Sequence, residues 1–299
     1  MKPILSGHGS FGVGHGEVSN LSDTTVPGLR PDFEAPPVVE VRLTVNFERV
    51  PRIRGPHFGL LWGALGGPGT LAEAEDLYPE PTDLETFPAP SGTPPFDFKL
   101  FEHPRPTRAA FRSGDGHSVE VQDDALSVSW SAGSNVGYPR YEVVRAKFEA
   151  AYGHWSSVLQ RVNAGVPRVK QAEVTYVNHL PIGVGWADPT ELSNVVRFAQ
   201  LPVDQGIEGV EDVHLYQRHV LRRAGEPWGR LYISFDSARQ NRESDKKVAN
   251  LSLTVRGIPA GDTSLDALRL LDDGHAIIVA SFAACTTPEM HTQWGRNDT

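Results

Sequence analysis

Cysteine is almost missing from this sequence: Cys285 stands alone among 299 residues. One thiol rules out an intramolecular disulfide and any zinc site built from several thiolates, and it fits a reducing, cytosolic setting. Long apolar runs are lacking as well. The longest, AIIVASFAAC at 276–285, falls short of the roughly 20 residues that span a bilayer, so no membrane partner is expected. Lys2 near the start has no apolar segment behind it, so no secretory signal is read there. Positive charge is in deficit, with 28 Lys and Arg against 37 Asp and Glu, a net −9. An acidic chain repels phosphate backbones unless a local basic patch overrides the total. The densest basic group is Arg218, Arg222 and Arg223, beside acidic segments, so nucleic acid is not expected as a partner. Missing too are the G-x-S-x-G nucleophile elbow, the Walker and EF-hand patterns and the HExxH zinc motif.

What the chain has in quantity is glycine (29) and proline (24). They concentrate first in GHGSFGVGHG at 7–16, where Gly7, Gly9 and Gly12 match G-x-G-x-x-G. A dinucleotide loop needs a buried strand before the glycines and a helix starting at the last one. Here Met1–Leu5 is too short and contains Pro3, and no helical periodicity follows Gly16. The run reads as part of a disordered tail over 1–34, whose His8 and His15 make only a weak, nonspecific metal site.

Beyond the tail, VVEVRLTVNF (38–47) alternates apolar and polar residues, the mark of a strand with one dry face. Phe58, Leu61, Trp62 and Leu65 recur at helical spacing. Residues 66–95 read as a long surface excursion, followed by a meander of short strands at 96–102, 108–114, 117–122 and 125–132. A stripe of Tyr141, Val144, Phe148, Ala151, Trp155, Val158 and Val162 predicts a long amphipathic helix. The pattern then repeats in plan: strands at 169–180, 214–224, 229–238 and 247–257, then a helix over 264–285 with Leu265, Leu268, Leu271, His275, Ile278, Phe282 and Cys285 along one face. Gly274 inside it marks close packing or a bend. Thr286 and Glu289 have capping-box spacing for a terminal helix reaching about Trp294.

The fold class is therefore α+β: two similarly built halves of antiparallel sheet, each covered by a long amphipathic helix, in the manner of helix-grip or SecB-like folds. The domain reading is a tail over 1–34, a first half over 35–165 and a second over 166–299, closely packed on the first.

Candidate site residues are few. Asn178 and His179 close a strand before Pro181 and offer a polar pair at a sheet rim. His275 has Asp272 one turn before it, as a base oriented by a carboxylate would, though a core-edge histidine satisfied by that Asp has the same pattern. Arg54 and His57, with Arg52, form a small cationic cluster suited to an anionic ligand. His291 and Trp294 share a stripe that serves a partner or docks the tail. His214 and His219, five apart in a strand, lie on opposite faces and cannot share a metal. Cys285 and His275 are about 15 Å apart along a continuous helix, too far for a nucleophile and its base. No catalytic residue, metal site or cofactor is assigned.

Four segments together, APPVVEVRLTVNF, HFGLLWGAL, EVTYVNHLP and LLDDGHAIIVASFAACTTPEMHTQWGR, resemble a sporadically distributed family of uncharacterised bacterial and archaeal proteins. Their shared features fall here on Pro36, Pro37 and Glu40, on Tyr176, Asn178 and His179, and on His275, Phe282, Thr286, Thr287 and Trp294. The resemblance implies no activity; the family's patchy occurrence implies carriage with mobile or defence genes. The functional expectation is a cytosolic binding protein holding a peptide, protein or small ligand, compatible with homo-oligomerisation. The alternative is an enzyme drawing His and carboxylate residues from separate segments.

Overall fold

The computed structural model describes residues 31–88, 108–133, 137–199, 210–240 and 247–298. The glycine run at 7–16, its two histidines and the expected strand at 96–102 lie outside the described residues. The described chain begins with strand β1 (Pro31–Phe33), within the last residues of the stretch read as tail. Strand β2 (Val38–Phe47) and helix α1 (Gly55–Ala64) follow at the expected places. The excursion contains an unexpected edge strand, β3 (Glu73–Leu77). The meander is β4 (Arg108–Arg112), β5 (His117–Val121) and β6 (Ala125–Ser131), and the long stripe forms α2 (Tyr141–Arg161). Then come β7 (Val169–Pro181), β8 (His214–Arg223), β9 (Glu226–Gln240), β10 (Lys247–Gly257), α3 (Ser264–Cys285), α4 (Pro288–Gln293) and β11 (Arg296–Asp298).

The fold is α+β. Among the described residues nine strands make one antiparallel sheet, ordered β3-β4-β5-β6-β2-β7-β10-β9-β8. The strands from the two stretches of chain do not form separate sheets, because β2 pairs with β7 along nearly its whole length. Alternation along the strands sends Val41, Leu43 and Val45 of β2, and Val174 and Tyr176 of β7, to one face, where they are buried. Both long helices lie on that face, α2 against β6 and β2, α3 against β7 and β10. Full burial of side chains such as Leu43, Phe148 and Leu253 contributes roughly 1.5–3 kcal/mol each.

The stripe on α2 is buried as expected from Tyr141 to Val158, while Val162 is half-buried just past the helix end. On α3 the buried face is Ala267, Leu268, Leu270, Leu271, Gly274, Ile278 and Phe282, while Leu265 is 53% exposed. The expected stripe therefore starts one turn too early: Leu265 lies in the first turn, before the helix reaches the sheet. Thr263 caps α3 by accepting from the Asp266 amide, and Thr287 caps α4 by accepting from Met290.

The opposite sheet face is polar. Thr44 bonds Ser127 at 2.8 Å, Thr175 bonds Thr254 at 2.8 Å, and Arg256 pairs with Glu173. Residues 80–86 cross this face as a strap. Gln122 and Gln171 hold its backbone at Glu80, Asp83 and Glu85. At its centre Glu85, Arg230 and the Tyr232 hydroxyl meet, with Arg230 stacked over Phe87. The two charged side chains are 3% and 5% exposed. The excursion reading misses this pair; the sheet buries it.

Candidate binding cavity between the long helices

The site starts from how the chain ends are fastened. β1 pairs with β11, and Glu34 and Ala35 donate to the carbonyls of Gly295 and Trp294 at 3.1 Å. Phe33 then meets Phe282, His291 and Trp294 edge-on, with ring centroids 5.5 to 6.3 Å apart. This clasp forms one wall of a cavity of about 530 Å³.

A second wall is the start of α2 with Tyr138, Arg140 and Tyr141; the floor is Val38, Tyr176 and Asn178; the third side is α3. There four alanines, Ala276, Ala280, Ala283 and Ala284, leave space beside the larger Ile278, Val279 and Phe282. A volume in this range suits a small molecule.

Asp32, Glu142 and Arg296 also line the cavity, and its uncharged polar groups are ordered. The Tyr176 hydroxyl is 2.8 Å from His275 Nδ1 and 3.1 Å from the Tyr138 hydroxyl. His275 lies parallel to Tyr141 with centroids 4.0 Å apart. Tyr141 donates to Asp272 Oδ1 at 2.8 Å, and Arg145 grips both Asp272 oxygens at 2.8 and 3.1 Å. Burial pushes Tyr138 up to about 12 and also raises Tyr176 and Tyr141, the latter with help from Asp272. All three phenols stay protonated near neutral pH, so they serve as hydrogen-bonding groups rather than bases. Asn178 is 2% exposed and donates its amide to the Leu251 carbonyl at 3.0 Å.

Arg140 stands at the mouth with φ 75°, a left-handed conformation costing on the order of 1–3 kcal/mol for a residue with a side chain. Its guanidinium donates to the Phe33 and Glu34 carbonyls and meets Asp32, which ties the start of α2 to the clasp. Strain held by such contacts is a feature of built sites.

Two of the six candidates, Asn178 and His275, line the cavity. Trp294 is 6% exposed and packs on Phe282 behind its wall. His179 faces the other side of the sheet, its amide donating to Pro37 O. Arg54 and His57 lie at the start of α1, where His57 Nδ1 accepts from the Arg54 amide at 2.9 Å as a helix cap. Among the described residues no three His, Cys, Asp or Glu side chains gather as metal ligands, and no helix is long and apolar enough to cross a membrane. Half-buried Cys285 has its thiol pushed up by burial.

Sequence reasoning misses Tyr138, Arg140 and Tyr141 as lining residues. A weak signal exists: YPRY packs two aromatics and an arginine ahead of a helix whose other aromatics lie in the core. No family model matches the chain, and neither does any curated protein.

Proposed function

We propose that this is a binding protein whose ligand is a small molecule with an apolar body and one hydrogen-bonding end. The carrying observation is the cavity itself: alanines on one side, three tyrosines and a histidine in one hydrogen-bonded and stacked array on the other. The apolar body would lie along Ala276, Ala280 and Ala283, and the polar end would meet the tyrosine–histidine array or Asn178. The array's groups bond one another before any ligand arrives, which favours a preformed site.

The same proposal includes membership of the sporadic family that the four sequence segments resemble, a cytosolic setting, and two similarly built halves. β2 to β6 with α2 would be one half, β7 to β10 with α3 the other, and the cavity would lie where the two helices meet.

A fragment screen by thermal shift tests it. Amphipathic aromatic fragments should raise the melting temperature of the wild type. Ala280→Phe, which fills the cavity from α3, should abolish those shifts while folding normally. Fragments that stabilise both proteins equally would place binding elsewhere and defeat the reading. Turnover of a bound fragment that collapses in His275→Gln would favour the enzyme alternative.

A further inference from the structure

The nine-stranded sheet ends in two unlike edges. β3 reads EAEDL, with Glu73, Glu75 and Asp76 exposed and no base. β8 reads HLYQRHVLRR, with three arginines, two histidines and no acid, in a chain of net charge −9. Among the described residues each pairs with a strand on one side only. Edge strands are normally blunted by proline, lysine or a bulge. β8 has neither residue, and its one irregularity lies near its end, at Leu221/Arg222. It also exposes Tyr216 (65%) and Val220 (47%).

We propose that β8 of one copy pairs with β3 of a second copy, continuing the sheet head to tail. The strand count fixes the geometry. Every pairing is antiparallel, so the first and ninth strands run the same way, and a translated copy sets β3 parallel to β8. Arg218 and Val220 share the polar face with Glu75 and Leu77, as their rows of partners show. Placing Arg218 beside Glu75 brings Val220 beside Leu77 there, and Asp76 beside His219 on the other face. Glu75, held by Arg112 at 2.7 Å, is then shared between two guanidinium groups. The two-fold alternatives fail on charge: β8 against β8 sets arginine near arginine, and β3 against β3 sets acid near acid. A head-to-tail contact repeats, giving a ring or a filament according to its rotation. The proposal rests on the sheet edges alone and is independent of the cavity.

Sedimentation velocity on the full chain over a range of concentrations tests it. The wild type should associate with rising concentration and dissociate with added salt. Arg218→Glu and Glu75→Lys should each weaken self-association about a hundredfold, with unchanged circular dichroism. An equimolar mixture of the two should recover it, because each chain offers the charge the other now needs. A wild type that stays monomeric throughout overturns the proposal. So does a Glu75→Lys protein that associates like the wild type, or a mixture that stays monomeric.

Discussion

His275 on α3 lies flat against Tyr141 on α2, ring planes 2° apart and centroids 4.0 Å apart. One turn earlier on α3, Asp272 takes the Tyr141 hydroxyl and the Arg145 guanidinium. A stack and an ion pair thus fasten the two helices at one level. The stack also forms part of the cavity wall, so helix packing and the binding surface share the same atoms.

Removing that ring should therefore act on stability and binding together. His275→Ala loses the stack and the Nδ1 partner of Tyr176, and should cost about 2 kcal/mol in urea unfolding. His275→Phe keeps a ring against Tyr141 but leaves the Tyr176 hydroxyl with Tyr138 only, and should cost about 1 kcal/mol. The order Ala worse than Phe is the diagnostic; equal losses would mean the stack contributes nothing.

The strap gives a second prediction. Glu85→Ala leaves Arg230 buried without its carboxylate, and Arg230→Ala does the reverse; each should cost roughly 3–5 kcal/mol. Glu85→Leu with Arg230→Met replaces the pair by apolar groups and should cost less than either alanine variant. Urea midpoints for the three proteins decide it. A double variant as unstable as the singles would show the pair to be net stabilising.

Much of this fold was legible because its signals are local. Alternation placed β2 over Val38–Phe47, and the three- and four-residue rhythm set α3 at Ser264–Cys285. What stayed hidden depends on partners far along the chain. β3 has three acids in five residues and is a strand only because β4 templates it. Glu85 reads as surface because Arg230 lies 145 residues away. In the cavity, His275 and Asn178 were visible as polar residues in apolar patterns. Tyr138, Tyr141 and Tyr176 looked like ordinary core aromatics until tertiary contact brought their hydroxyls to one side.

One substitution should have opposite signs in the two long helices. At Gly274 an added Cβ would meet Val174 Cγ2 at 3.1 Å and Val255 Cγ1 at 3.3 Å, both valines being fully buried. Overpacking of about 1–3 kcal/mol exceeds the roughly 1 kcal/mol gained in helix propensity, so Gly274→Ala should destabilise by about 1 kcal/mol. At exposed Gly153 in α2 nothing lies within 4 Å of the added Cβ, and Gly153→Ala should stabilise by about 0.5–1 kcal/mol. Thermal unfolding of both variants tests the pair; a stabilising Gly274→Ala would mean that α3 can lift off the sheet at little cost.

The acid side of the stability curve should be set in part by His117. Its side chain is buried on β5, and among the described residues neither nitrogen has a hydrogen-bond partner; Asp115 Oδ1 comes within 3.4 Å of Nδ1. Burial, then the charge of Lys147, holds it below the ordinary value of 6.5, with Asp115 opposing. The folded state therefore binds the proton less readily than the unfolded chain. This contribution is complete above about pH 6.5 and is lost as pH falls from there through the folded value. Asp115 adds a separate loss at lower pH. The Ser113 hydroxyl, ahead of the charges of His117 and Lys147, holds its carboxyl at about 2, so its share disappears between the ordinary 3.8 and about 2. Urea midpoints measured from neutral pH downward should fall in two stages in the wild type. His117→Leu should flatten the first stage and leave the second somewhat smaller, since Ser113 still holds Asp115; a first stage that survives this substitution would assign the proton to another group.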